Sequence, residues 1–255
     1  MHRFFVSDIS TSDKVIEITG PDVNHIANVL RLGIGDEITV SDGSSRDYLC
    51  SITSIDPKNE QRVLADIIDI FDSNAELPAD IFLYQGFPKG DKFETIIQKC
   101  VELGIHEIIP VMMERTIVKL DDKKQQKKLE RYNGISASAA KQSRRGIIPE
   151  VSSFVSMKEA VLKASTDSDV ILLSYESAEG MQYSRNVFNE VAEGVKKGEI
   201  KRISVFIGPE GGFADSEVKS LEEAGARIIS LGHRILRTET AGMTVMSILS
   251  FLLDE

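Results

Sequence analysis

From Asp80 onward, apolar runs of strand length alternate with stretches of helical period, and this alternation constrains the fold more than any other feature. The strand-like runs fall at residues 81–84, 107–112, 170–174, 204–207 and 227–230. Helical patterns follow at 92–103, 127–142, 157–165, 185–196, 216–224 and 240–252. Strands alternating with helices predict a mainly parallel α/β sheet. Punctuation agrees: Gly90-Asp91 precedes one helix, Gly104 follows it, and Asp215-Ser216 stands ahead of Glu217-Val218. Residues 1–72 read differently. Short alternating runs at 15–19, 37–40, 48–52 and 62–68 are broken by turn signals such as Ser41-Asp42-Gly43-Ser44 and Asp56-Pro57-Lys58-Asn59, with one short helix at 24–31. The polar, proline-bearing stretch 72–79 reads as a linker, so two domains are expected, 1–72 and 73–255.

Several classes of function lack their motif. There is no G-x-G-x-x-G after a strand, no G-x-x-x-x-G-K-[ST], and no G-x-S-x-G elbow. Four histidines (His2, His25, His106, His233) are scattered without ligand spacing, and Cys50 and Cys100 form no CxxC pair, so no metal site and no disulfide are expected. The start of the chain has no apolar core of signal-peptide length, and the longest apolar stretch, 241–253, is too short to span a bilayer. The expectation is a cytoplasmic protein without a membrane segment.

Net charge is −10, which disfavours a polyanionic partner for the chain as a whole. Its distribution is uneven. Between Lys119 and Arg145 there are nine basic and three acidic residues, so this span carries +6 and the rest −16. A basic segment on an acidic body suits local phosphate contact. For Lys123 through Lys128 a solvated helix face is an equal reading; Lys141-Gln142-Ser143-Arg144-Arg145 fits an anion-contacting turn better.

Two loops carry most of the functional information: Gly208-Pro209-Glu210-Gly211-Gly212, and Leu231-Gly232-His233-Arg234-Ile235-Leu236-Arg237-Thr238-Glu239-Thr240-Ala241. Each follows a strand-like run and precedes a helical pattern, which places both at the carboxyl edge of the sheet, where open α/β sheets bind ligands. A single loop of this kind would read as a tight strand-to-helix turn. Two at neighbouring strand ends favour a ligand site. Glycines and a rigid proline suit close backbone approach, while the Glu210 carboxylate argues for a neutral or cationic ligand rather than a nucleotide phosphate.

These two loops resemble the RsmE family of ribosomal RNA methyltransferases, within the SPOUT superfamily. The resemblance extends to Met1-His2-Arg3-Phe4-Phe5-Val6, His25-x-x-x-Val29-Leu30-Arg31, Lys89-Gly90-Asp91-Lys92 leading into Ile97-Gln98-Lys99-Cys100-Val101-Glu102-Leu103-Gly104, then Pro110, Arg115, Glu130-Arg131 and Ala139-Ala140-Lys141-Gln142-Ser143-x-Arg145. Two departures stand out. Tyr132 replaces a usual Trp, and Ala214 replaces a helix-capping Thr or Ser, leaving Asp215 or Ser216 to supply that cap. The resemblance implies a PUA-like β-barrel RNA-binding domain joined to a SPOUT domain whose C-terminal part is tied in a deep trefoil knot. It also implies a homodimer formed through the knot and the terminal helix.

The activity implied is S-adenosylmethionine-dependent methylation of N3 of uridine 1498 in 16S ribosomal RNA, with the small (30S) subunit as partner. The implied cofactor pocket takes Leu173, Ser174 and Glu176 from one strand end. Gly208, Pro209, Glu210, Gly211 and Gly212 come from a second. A third supplies Leu231, Gly232, Ile235, Leu236, Arg237, Thr238 and Ala241. RNA contact is expected from Arg3, Arg31, Lys89, Lys92, Arg115, Lys141, Arg144 and Arg145. Because uracil N3 carries a proton, a base should remove it while a cation holds the charge that spreads to O2 and O4. Glu239 and Glu210 are candidate bases, and Arg237 and Arg145 candidate anion stabilisers. Glu239 could instead serve the positive end of the last helix, with Arg237 as its partner. Other readings are a SPOUT enzyme acting on a tRNA base or a ribose 2′-hydroxyl, or a non-catalytic assembly factor that binds RNA.

Overall fold

The computed structural model describes residues 2–7, 9–176 and 180–254. The chain divides into two compact units. The first comprises residues 1–76 and 140–148, the second 77–139 and 149–255. The recruitment of 140–148 into the first unit has no counterpart in the sequence-based division at residue 72.

In the first unit, β1 (Arg3–Phe5), β2 (Val15–Thr19), β3 (Glu37–Ser41), β4 (Arg46–Asp56) and β5 (Arg62–Asp72) form one sheet in the order β1-β3-β4-β5-β2. All pairs are antiparallel except β1 with β3. Period-2 alternation places Ile16 and Ile18 inside while Val15, Glu17 and Thr19 face out, as the sequence pattern requires. Irregularities in register at Leu49/Cys50 and Ile52/Ser54 bend β4, as bulges do. Helix α1 (Pro21–Asn24) continues into a π-helical turn, His25–Val29, and together they bury Val23 and Ile26 against Phe4, Ile38, Val40, Tyr48 and Ile52. The expected helix at 24–31 is therefore a short α-helix with a π-helical extension.

Segment 140–148 is fastened to this sheet by polar contacts. Lys141 Nζ donates to both Asp22 carboxylate oxygens at 2.8 Å, and Ser41 Oγ donates to Gly146 O at 2.9 Å. Arg3 pairs with Asp47 and donates to the Arg145 carbonyl. Arg145, 3% exposed, pairs with both carboxylate oxygens of Glu76, and Oε1 also accepts the Gly146 N–H at 2.7 Å.

The second unit holds a seven-stranded parallel sheet built from β6 (Asp80–Gly86), β7 (Glu107–Met112), β8 (Glu150–Val151), β9 (Val155–Ser156), β10 (Val170–Ser174), β11 (Arg202–Ile207) and β12 (Arg227–Ile229). The order is β12-β10-β11-β6-β7-β8, with β9 also on β7. The chain thus runs from β10 inward to β11 and back out to β12, so three consecutive strands bring their carboxyl ends side by side. Helices α2 (Lys92–Glu102), α3 (Asp122–Ser143), α4 (Met157–Asp167), α5 (Gly180–Lys196), α6 (Asp215–Glu223) and α7 (Thr238–Leu253) connect or follow these strands. One core cluster joins Phe82, Tyr84, Ile109, Val111, Leu173, Phe206, Phe213 and Leu221, with Tyr84 and Phe206 stacked at 4.5 Å. Strands buried on both faces read as continuous apolar runs, which made them legible. The two-residue strands β8 and β9 carry no such run.

Candidate functional site

Register explains where the site forms. Ser174 pairs with Ile207 and Ile229, and Ile207 also pairs with Gln85, so Tyr175, Gly208, Ser230 and Gly86 begin their loops in one row. Gly86 and Gly208 meet there without side chains. A Cβ on Gly86 would lie 2.5 Å from the Pro209 nitrogen and 2.9 Å from the Gly208 carbonyl carbon. Gly212, at φ 68°, and Gly232, at φ 122°, occupy backbone conformations that favour glycine.

A cavity of about 680 Å³ opens at this edge. Of the residues assigned to a cofactor, Ser174, Glu176, Gly208, Pro209, Glu210, Gly212, Leu231, Gly232, Ile235, Leu236, Arg237, Thr238 and Ala241 line it. Leu173 does not: its side chain is wholly buried in the sheet core. Nor does Gly211, whose carbonyl accepts from Arg115 Nη1 at 3.1 Å. Tyr175, Ile207, Phe213, Ser230 and Arg234 also line the cavity and went unassigned, because nothing in their spacing sets them apart from core or loop residues.

Lys92 is repositioned by the structure. It lines the cavity at the first turn of α2, with Nζ 2.9 Å from Glu210 Oε1 and 3.7 Å from Glu239 Oε2. Burial by itself would raise the Glu210 carboxyl, but the Lys92 hydrogen bond and the Lys89 N–H outweigh it, and the group is held below the usual carboxylate range. Lys92 is raised in turn, first by its hydrogen bond to Glu210. Glu239 differs from Glu210: its Oε2 is buried and without a hydrogen-bond partner among the described residues. The cation facing Glu239 is Lys92 rather than the expected Arg237, and the residue at the helix N-cap is Arg237, which makes no side-chain cap.

The loop 208–214 is held from several directions. Thr238 Oγ1 donates to Gly208 O at 2.6 Å, and Arg115 grips Gly211. Buried Glu217 accepts from Ala214 N at 2.8 Å and from Glu114 N at 2.9 Å. Glu217 thus makes the reach-back half of a capping box, while Ala214 leaves α6 without a side-chain cap and neither Asp215 nor Ser216 supplies one.

The basic residues divide into two groups. Arg3, Lys141 and Arg145 are spent on ion pairs within the first unit. For Arg145 this overturns the expectation of contact with RNA or a reacting base, since a guanidinium clasped by Glu76 and 3% exposed has no free face for either. Arg31 and Arg144 are exposed, at φ 55° and 61°, a region that non-glycine residues seldom occupy. Lys89 contributes its backbone N–H to Glu210. Among the described residues no group of His, Cys, Asp or Glu is placed to hold a metal ion, and no helix is long and apolar enough to cross a membrane.

Comparison with known proteins matches residues 75–250 to an RNA methyltransferase domain and residues 18–61 to an RNA methyltransferase PUA domain. The chain is 36% identical to ribosomal RNA small subunit methyltransferase E of Bacillus subtilis, covering 98% of this chain and 96% of that protein. It is 28% identical to the crystal structure of a ribosomal RNA small subunit methyltransferase E from Neisseria gonorrhoeae bound to S-adenosyl methionine, at a TM-score of 0.80 over 99% of this chain and 98% of that one. A putative methyltransferase from Legionella pneumophila, in complex with bound S-adenosylmethionine, is 29% identical at a TM-score of 0.81, covering 97% and 96%.

Proposed function

The chain belongs to the RNA methyltransferase family, and from that premise we propose that it transfers a methyl group from S-adenosylmethionine to N3 of a uridine in small-subunit ribosomal RNA. The fold is the PUA-like sheet and SPOUT-type parallel sheet of that family. The cavity fits the methyl donor on chemical grounds. Ile207, Leu231, Ile235, Leu236 and Phe213 offer apolar walls for an adenine, and no phosphate-binding loop is present. Glu210 and Glu176 are compatible with the cationic groups of the ligand, as they would not be with a phosphate.

When bound, S-adenosylmethionine supplies an electrophilic methyl group on a sulfonium. The remaining demands fall on the protein. Glu239 Oε2 is the observation that carries the reading: Glu239 does not itself line the cavity, but this buried oxygen, without a hydrogen-bond partner among the described residues, lies 3.7 Å from the Nζ of Lys92, which does, and is proposed to take the uracil N3 proton. Glu210 is less suited, because Lys92 and the Lys89 N–H both donate to its Oε1 and stabilise its charged form. Lys92 and Arg237 supply positive charge for the uracil anion. Arg31 and Arg144 in the first unit, with Arg115 in the second, are proposed to contact RNA phosphates.

The trefoil knot and the homodimer belong to the same reading. The doubling back β10-β11-β12 supports the first. For the second, an apolar cavity of about 620 Å³ between α5 and α7, with Phe251 85% exposed, supports a second copy seated there. A ribosomal substrate sets the activity in the cytoplasm.

The test is methyl transfer to purified small subunits under single turnover, with the modified nucleoside identified after digestion. Product identified as 3-methyluridine, lost by at least about 100-fold in Glu239→Gln with S-adenosylmethionine binding retained, is the expected result. A methylated tRNA base or ribose would redirect the activity, and absent transfer with intact RNA binding would favour an assembly factor.

A further inference from the structure

We propose that Gln85 is a positioning residue for the methyl-donor site, its buried amide fixing the direction of a hydrogen-bond chain that locks the two cofactor loops together. The inference rests on the reading of the 680 Å³ cavity as the site for S-adenosylmethionine. Gln85 sits near the carboxyl end of β6, wholly buried, after the apolar run Ile81-Phe82-Leu83-Tyr84. Its Nε2 donates to Gly86 O at 3.0 Å and to Thr238 Oγ1 at 2.8 Å. Thr238 Oγ1 in turn donates to Gly208 O at 2.6 Å.

The chain has a single sense. Gly86 O and Gly208 O can only accept, so the amide must face Gly86 with its NH₂ group, and the one hydroxyl proton of Thr238 must point at Gly208. A flipped amide would set two carbonyl oxygens against each other. Glutamine meets both requirements at once: two donors on one nitrogen, at the end of a two-carbon arm.

The arrangement leaves a cost in place. Gln85 Oε1 is buried and without a hydrogen-bond partner among the described residues, facing α7 where a Cβ on Gly242 would lie 3.5 Å away. An apolar side chain would avoid that orphan carbonyl, so the amide is kept at a strand position that packing alone would fill otherwise. The spacing it sets is that between the Gly208 loop and the start of α7, the two walls of the cavity. Thr238 therefore lines the cavity without its hydroxyl being free for the ligand.

The test compares S-adenosylmethionine binding by calorimetry, steady-state methyl transfer and thermal unfolding for the full chain and its variants. Gln85→Leu and Thr238→Val are each expected to weaken binding and raise the KM for the donor by about tenfold, with kcat at saturation within about threefold. Combining them should weaken binding no further, because each breaks the same chain. Thr238→Ser, which keeps the hydroxyl, should recover most of the affinity lost in Thr238→Val. Gln85→Glu keeps the volume but presents acceptors to Thr238, and should also weaken binding without loss of the folded state. Unchanged donor affinity in folded Gln85→Leu or Gln85→Glu, or effects of Gln85→Leu and Thr238→Val that multiply, would overturn the proposal. A wild-type protein that binds no S-adenosylmethionine would instead remove the reading of the cavity, and this inference with it.

Discussion

At Gly86 the end of β6 and the Gly208-Pro209 turn come so close that hydrogen is the only side chain that fits. Gly86→Ala must push the turn away from the strand, an overpacking cost of about 1–3 kcal/mol. Donor affinity should fall by roughly 5- to 150-fold, read by calorimetry with the folded state verified by circular dichroism. The ion pair at Lys92 makes a second residue-level prediction. Glu210 is held below its ordinary range, so its contribution to stability is present above about pH 4.3 and is lost as pH falls through the lowered value. Lys92 is held above its range, so its contribution is present below about pH 10.4 and is lost as pH rises beyond. Between those limits the pair is constant, and Lys92→Met should move the Glu210 titration upward in carboxyl-resolved NMR. These details were only partly legible in the sequence. The glycine loops announced a close backbone approach, but only the register Ile207 to Gln85 shows that Gly86 is what they approach. Lys92 reads in the sequence as an RNA contact, because the carboxylates that claim it lie more than a hundred residues away.

The elements show why charge patterning misled where hydrophobic patterning did not. The run from Lys119 to Arg145 reads as one basic stripe, yet Lys141 and Arg145 near its end turn inward on acidic partners at positions 22 and 76. Removing Glu76 leaves Arg145 buried without its carboxylate, so Glu76→Ala should destabilise the first unit by roughly 3 kcal/mol in chemical denaturation. A merely surface pair would cost under about 1 kcal/mol. Further along α3, Gly134 is exposed, helical and has nothing within 4 Å of where a Cβ would stand. Gly134→Ala should stabilise the protein by about 0.5–1 kcal/mol, seen as a raised denaturation midpoint. Strands β7 and β10 match their apolar runs to the residue, because burial on both faces leaves an unbroken signal. The π-helical turn at His25–Val29 left none, since its apolar spacing is close to that of an α-helix.

On the scale of the whole chain, the second unit carries the proposed donor pocket and an apolar face on α5 and α7, and the first carries exposed arginines. Phe251→Asp at that face should convert a dimer to monomers by light scattering, with thermal unfolding little changed because the side chain is 85% exposed. RNA affinity should fall with salt despite the net charge of −10, but with a log–log slope of only about −2 to −3, because only a few arginines meet phosphate. The central claim is methylation of uridine N3 in small-subunit ribosomal RNA, and nucleoside mass spectrometry tests it most directly. Small-subunit RNA from cells lacking this protein should be without one 3-methyluridine, which the wild-type chain restores and the Glu239→Gln variant does not. Three-methyluridine that persists at full level in the deletion, with no other enzyme able to supply it, would contradict the account.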